Sequence, residues 1–254
     1  HMLNPKAENR IRQVLRVLDA RRFTLVEDLT WEMAETDTVH RAPPRDATYH
    51  AFTPPAPYGA AWKCVWFHAA ATVPEESRSL FLEVVAQSDS LLFLDGTPRG
   101  AFNDRHQLYP IGRDVAAGGV VDIHVEAYGG HHYPGVHPFH GDFVLPHALQ
   151  ERSRYPIWFE AGRLVALNEP LDQALFDLQA LLETALELPE DNLRRHALIR
   201  DLSEAVHLLD PDASDETLFD QADAFRNAVR PLLAEGNPAT VPDIYAVGHA
   251  HMDH

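Results

Sequence analysis

Hydrophobic positions along this chain recur with two different periods, and the period changes three times. Ile11, Val14, Leu15 and Leu18 fall on one face of a repeat of about 3.6 residues, with Arg10, Arg12 and Arg16 elsewhere, and predict a helix over 5–20. Residues 40–60 are rich in Pro and Ala (Ala42-Pro43-Pro44, Thr53-Pro54-Pro55-Ala56-Pro57) and read as an extended connection. From Trp62 to Leu145 the pattern is that of strands. Leu80, Leu82, Val84 and Ala86 alternate, and Val121, Ile123, Val125 and Ala127 oppose Asp122, His124 and Glu126. Leu91–Leu94 runs into Asp95-Gly96, a hairpin signal because both central turn positions favour positive φ. Short alternating strands punctuated by Gly, Pro and Asp predict an antiparallel β-sandwich with one buried and one wet face.

The helical period returns near Pro170. One apolar stripe is Leu171, Ala174, Leu175, Leu178, Leu181, Leu182 and Ala185, ended by Pro189. A second is Leu193, Ala197, Leu198, Leu202, Ala205, Val206 and Leu209, ended by Asp210-Pro211. Leu218, Ala222, Phe225, Val229 and Leu232 form a third, closed by Gly236-Asn237-Pro238. Short turns make these three helices antiparallel neighbours. Ile244-Tyr245-Ala246-Val247, bounded by Pro242 and Gly248, then fits a buried parallel strand, whose carboxyl end is where ligands bind in parallel sheets.

At that end stand His249, His251 and Asp253. Two imidazoles and a carboxylate suit a borderline divalent metal such as zinc. On extended backbone His251 and Asp253 project to the same side, and His249 shares their parity, so parity leaves the choice of histidine open. A zinc site takes at least three protein ligands, so the motif reads as part of a site. A second histidine group, His131, His132, His137, His140 and His147, lies among Gly and Pro and reads first as a surface loop, with metal or sugar contact as its alternative. Trp62, Trp66 and Phe67 are core candidates before they are a sugar platform, since Trp66 and Phe67 cannot share a strand face. Asp172, Asp177, Glu183, Glu187, Asp201 and Glu204 lie mostly off the stripes and read as a solvated helix surface. Neither a phosphate-binding glycine loop nor a Gly-x-Ser-x-Gly elbow occurs.

Composition narrows the classes. The 254 residues are 45% hydrophobic and carry a formal charge of −17, a poor match for nucleic acid or an anionic membrane. Cys64 is the single cysteine, so no intrachain disulfide forms, and its apolar neighbours predict a buried, inert thiol. No secretory or membrane-spanning segment is legible, and a cytoplasmic location is the expectation.

The order of these parts resembles the N-terminal third of α-mannosidases of glycoside hydrolase family 38, in the cytosolic and bacterial branch. The residues that carry the likeness are Trp62 to Phe67, Leu92 to Gly96, Asp177 to Glu183, Leu188 to Asp191 and, most specifically, Gly248-His249-Ala250-His251-Met252-Asp253. The resemblance implies a multi-domain α+β fold. Its parts are a lead-in helix (1–30), an antiparallel β-sandwich of jelly-roll, galactose-binding-like type (31–165), a three-helix connector (166–238) and the first strand of an α/β catalytic domain (239–254). It implies zinc as cofactor in the complete enzyme, with His251 and Asp253 as ligands and His249 as a neighbour that does not ligate. It also implies retaining hydrolysis of terminal α-mannosides. The nucleophile, general acid and remaining ligands match nothing here, so no catalytic residue is assigned. The family usually follows the motif's aspartate with a small residue and a tryptophan-containing stretch, whereas His254 follows here. The expectation is a chain inactive alone and lacking its catalytic domain. The alternative is a carbohydrate-binding or homo-oligomerising module.

Overall fold

A computed structural model describes residues 5–59, 63–74, 79–128 and 157–234. The chain divides into two compact units, Phe23–Asn168 and a second formed by residues 1–22 with 169–254. The divisions fall after residues 22 and 168, whereas the sequence drew them after 30 and 165.

The unit Phe23–Asn168 is antiparallel throughout its described pairings. Its strands are β1 (Phe23–Asp28), β2 (Trp31–Thr36), β3 (His50–Phe52), β4 (Ala56–Tyr58), β5 (Cys64–Thr72), β6 (Leu80–Val85), β7 (Ser90–Leu94), β8 (Thr97–Phe102), β9 (Leu108–Tyr109), β10 (Val120–Tyr128), β11 (Ile157–Phe159) and β12 (Ala161–Leu167). A six-stranded sheet runs β3-β2-β5-β10-β7-β8, a four-stranded sheet runs β1-β12-β6-β9, and β11 pairs with β4. The inner faces of both larger sheets share one core. Val65, Phe67 and Ala69 of β5, Val121, Ile123 and Val125 of β10, and Leu80, Leu82 and Val84 of β6 all belong to it. Period-two alternation places these side chains on one side of each strand.

Aromatic rings fill the core beside β11. Phe67 meets Phe159 at 4.4 Å between centroids, Phe52 at 5.1 Å and Tyr58 at 5.0 Å. The Tyr58 hydroxyl donates to the Ala86 carbonyl and is 2.8 Å from Ser88 Oγ, so burying the ring leaves no polar atom stranded. Residues 40–60, read as extended connection, contain the short strands β3 and β4. The Asp95-Gly96 hairpin forms with φ of +49° and +76°.

The helical unit has four described helices: α1 (Pro5–Arg21), α2 (Glu169–Glu187), α3 (Leu193–Ala205) and α4 (Asp215–Ala234). Ile11, Val14 and Leu18 of α1 share a core with Leu171, Leu178 and Leu182 of α2 and with Leu218 and Phe225 of α4. The N-terminal helix therefore belongs with the three later helices. Asn192 caps α3, its Oδ1 accepting from the Arg194 backbone N–H at 2.8 Å. That cap makes Leu193 the first helical residue, and it is 85% exposed, so Leu193 is not part of the second buried stripe. Among the described residues no helix is long and apolar enough to cross a membrane.

Candidate functional site

The outer face of the six-stranded sheet carries the densest polar chemistry among the described residues. Pairing register builds it. His68 of β5 stands opposite His124 of β10 on one side and opposite Glu32 of β2 on the other. Inner positions 67, 123 and 125 are core, so residues 68, 122 and 124 face outward together. Asp122 lies opposite Ala70, whose small side chain leaves room for a diagonal approach to His68. The hairpin turn fixes this end of β10. Asp95 Oδ1 accepts from the Asp122 backbone N–H at 3.0 Å, and the Asp95 N–H donates to the Asp122 carbonyl at 2.9 Å.

The side chains converge on one carboxylate. His68 Nε2 is 2.7 Å from Asp122 Oδ1, and His124 Nδ1 is 3.2 Å from Asp122 Oδ2. His68 Nδ1 is 3.2 Å from Glu32 Oε2. The two imidazoles stack with centroids 4.5 Å apart and planes 26° from parallel. Tyr49 lies edge-on against both, at 5.7 Å from His68 and 6.0 Å from His124. Its hydroxyl is pushed up to about 12, first by burial and then by the charges of Asp122 and Glu32. Burial holds His124 below the usual imidazole range, with the His68 charge pushing the same way and Asp122 opposing. Despite the short distance, His124 Nδ1 is buried without a hydrogen bond of acceptable geometry. The ligand atoms of His68, Asp122 and His124 all lie within 4.8 Å of one another.

The next positions along this face are Trp66, Cys64 and Glu126. Trp66 is fully buried and meets Phe93 at 5.4 Å, while Phe67 points into the core, so neither ring offers a sugar platform. Cys64 is only half-buried, on the outer face rather than in the core. Its thiol is raised, first by burial and then by Glu126.

In the helical unit an open groove of about 560 Å³ is lined by Arg22, Asp172, Phe176, Asp177 and Arg226. Its charges are matched internally, Arg22 to Asp172 at 2.8 Å and Arg226 to Asp177 at 2.9 Å. Asp201 pairs with Arg200 at 2.7 Å. These acids serve ion pairs rather than a catalytic couple.

His249, His251 and Asp253 lie outside the described residues, as do Trp62, the His131–His147 group and the strand read over 241–247. Sequence reasoning saw Asp122 and His124 only as the wet side of an alternating strand and did not single out His68. Their alternation was legible. The pairing that sets His68 beside them was not.

Residues 26–134 match the family described as "Alpha-mannosidase, jelly roll domain". The fold of that stretch is a jelly roll, within a mixed α+β chain. No curated protein matches the chain. Solved structures similar to it include a β-glucuronidase of Faecalibacterium prausnitzii, at 15% identity and TM-score 0.36, covering 58% of this chain and 31% of that one. A β-glucuronidase from Ruminococcus gnavus in complex with a C6-substituted uronic isofagomine is similar at 9% identity and TM-score 0.37, covering 58% and 30%. The chain spans about a third of the length of these enzymes.

Proposed function

We propose that this chain is the N-terminal part of a zinc-dependent, retaining α-mannosidase of glycoside hydrolase family 38, acting on terminal α-mannosides in the cytoplasm. The match of residues 26–134 to the α-mannosidase jelly roll carries the reading. The Gly-His-x-His-x-Asp run of residues 248–253 supports it, because imidazole and carboxylate side chains in so short a run suit zinc. In this proposal His251 and Asp253 are zinc ligands and His249 is their neighbour. Bound zinc would hold hydroxyls of the mannose, while two carboxyl groups outside these 254 residues perform the displacement and the proton transfer.

On this reading the 254-residue chain alone turns over no mannoside, since two metal ligands and no nucleophile do not make a glycosidase. The assay is release of aryl alcohol from an aryl α-mannoside by the purified chain. No release above buffer is expected. Release that is lost with a chelator and in Asp253→Ala overturns the proposed inactivity. Reading the gene past codon 254 tests the parent enzyme: an α/β domain with further His and Asp ligands is expected, and an in-frame stop overturns it.

A second reading is a self-associating module. Phe176 is 72% exposed and Leu193 85% exposed, apolar side chains that a partner surface would cover. Sedimentation at high concentration decides: concentration-dependent mass supports it, and a strict monomer removes it.

A further inference from the structure

We propose that His68, Asp122 and His124 form a binding site for a zinc-type divalent cation on the outer face of the jelly roll, separate from the terminal motif. Three observations carry it. The donor set is right, since two imidazoles with one carboxylate suit a borderline ion better than calcium or magnesium, which take all-oxygen shells. The spacing is near that of a zinc site. Ligand atoms around tetrahedral zinc, with bonds of about 2.0–2.1 Å, stand about 3.3 Å apart. Here the Asp122 oxygens stand 2.7 Å from His68 Nε2 and 3.2 Å from His124 Nδ1. All three ligand atoms fit within 4.8 Å.

The third observation is how the hydrogens are left. His124 Nδ1 is buried with no hydrogen bond, a loss for any polar atom. A cation at the focus of the three groups takes that lone pair and the Nε2 lone pair of His68. His68 then keeps its proton on Nδ1, facing Glu32 Oε2 at 3.2 Å. A carboxylate behind a ligating imidazole is the arrangement that fixes tautomer and ring orientation in metal sites. Tyr49 packs edge-on to both rings. The three protein ligands leave a fourth position for water. The cation ties β5 to β10 at the middle of the six-stranded sheet, with Glu32 bracing from β2.

The test uses the full 254-residue chain with His251→Ala and Asp253→Ala, stripped of metal and titrated with Zn²⁺ by calorimetry. One equivalent binding at about 1 μM or tighter is expected. Asp122→Asn and His124→Gln should each weaken it by at least about tenfold. No binding overturns the proposal, and so does affinity unchanged in both variants. The variants sit on the outer face of the sheet, and circular dichroism checks that each folds without metal. Should one unfold, His68→Gln replaces it. X-ray absorption of the zinc-loaded parent gives an independent reading. A shell of two imidazoles with oxygen is expected, and a sulfur ligand from Cys64 or fewer than two imidazoles overturns it. The readout is cation binding rather than turnover, so it stands or falls apart from the hydrolase reading.

Discussion

Cys64 and Glu126 share the outer face of the jelly roll, and burial raises both. A thiol held protonated is a poor nucleophile. Alkylation of Cys64 by iodoacetamide at pH 8 should therefore run slower than that of free cysteine, and a rate equal to free thiol would contradict the assignment. For Glu126 the folded value lies above the ordinary 4.5, chiefly through burial, with His40 and the Cys64 hydrogen bond opposing. The folded state thus binds more protons than the unfolded chain. The contribution of this group to stability is complete below about 4.5 and is lost as pH rises through the raised value. Glu126→Gln removes that loss, so its melting temperature should exceed the parent's at pH 7 and match it at pH 4. Because the group is half exposed, the gain should stay below about 1 kcal/mol. The alternation of Val120–Tyr128 already announced that Asp122, His124 and Glu126 share a face. Which residues stand beside them depends on register with β5, and register joins positions more than fifty residues apart through backbone hydrogen bonds that leave no local mark.

At the scale of elements, β12 and β2 are locked through a single glycine. Trp31 Nε1 donates to the Gly162 carbonyl at 2.9 Å, and a Cβ at 162 would meet the Trp31 indole at 2.5 Å. Gly162→Ala must displace that buried ring, which packs on Phe159 at 5.2 Å. It should cost about 1–3 kcal/mol, read as a lowered denaturant midpoint with altered tryptophan emission. A loss under about 0.5 kcal/mol would show that the ring yields freely. Strands β6 and β10 were readable because each has one core face and one wet face, and β7 because its apolar run ends in the Asp95-Gly96 turn. β1 was not readable, since all but one of its side chains are exposed and only its backbone, paired to β12, makes it a strand. β3 and β4 were missed because they are three residues each, in a proline-rich stretch that hides period-two alternation.

At the scale of the whole molecule, the buried side chains of the described residues form two clusters. One comprises the jelly-roll side chains and the other those of the four helices. Ile11 and Leu18 are fully buried in the second. Leu18→Asp should therefore melt the helical unit, lowering helical circular dichroism, while near-ultraviolet signals from Trp31 and Trp66 in the other unit persist. Simultaneous loss of both signals would show that the units unfold as one. The stripe of α1 was legible from periodicity, but its partner was not, because amphipathic spacing shows that a face is buried and never against what. The division of the chain has a further consequence for synthesis. The helical unit begins with residues 1–22 and resumes only at Glu169, so the jelly roll is an insertion within it. Once α1 has left the ribosome, it must wait for all of residues 23–168 before α2 exists to cover Ile11, Val14 and Leu18. At about 5–20 residues per second that wait lasts roughly 7 to 30 seconds. During it a nascent chain displays an uncovered apolar helix ahead of a folding jelly roll, the kind of segment that ribosome-associated chaperones hold.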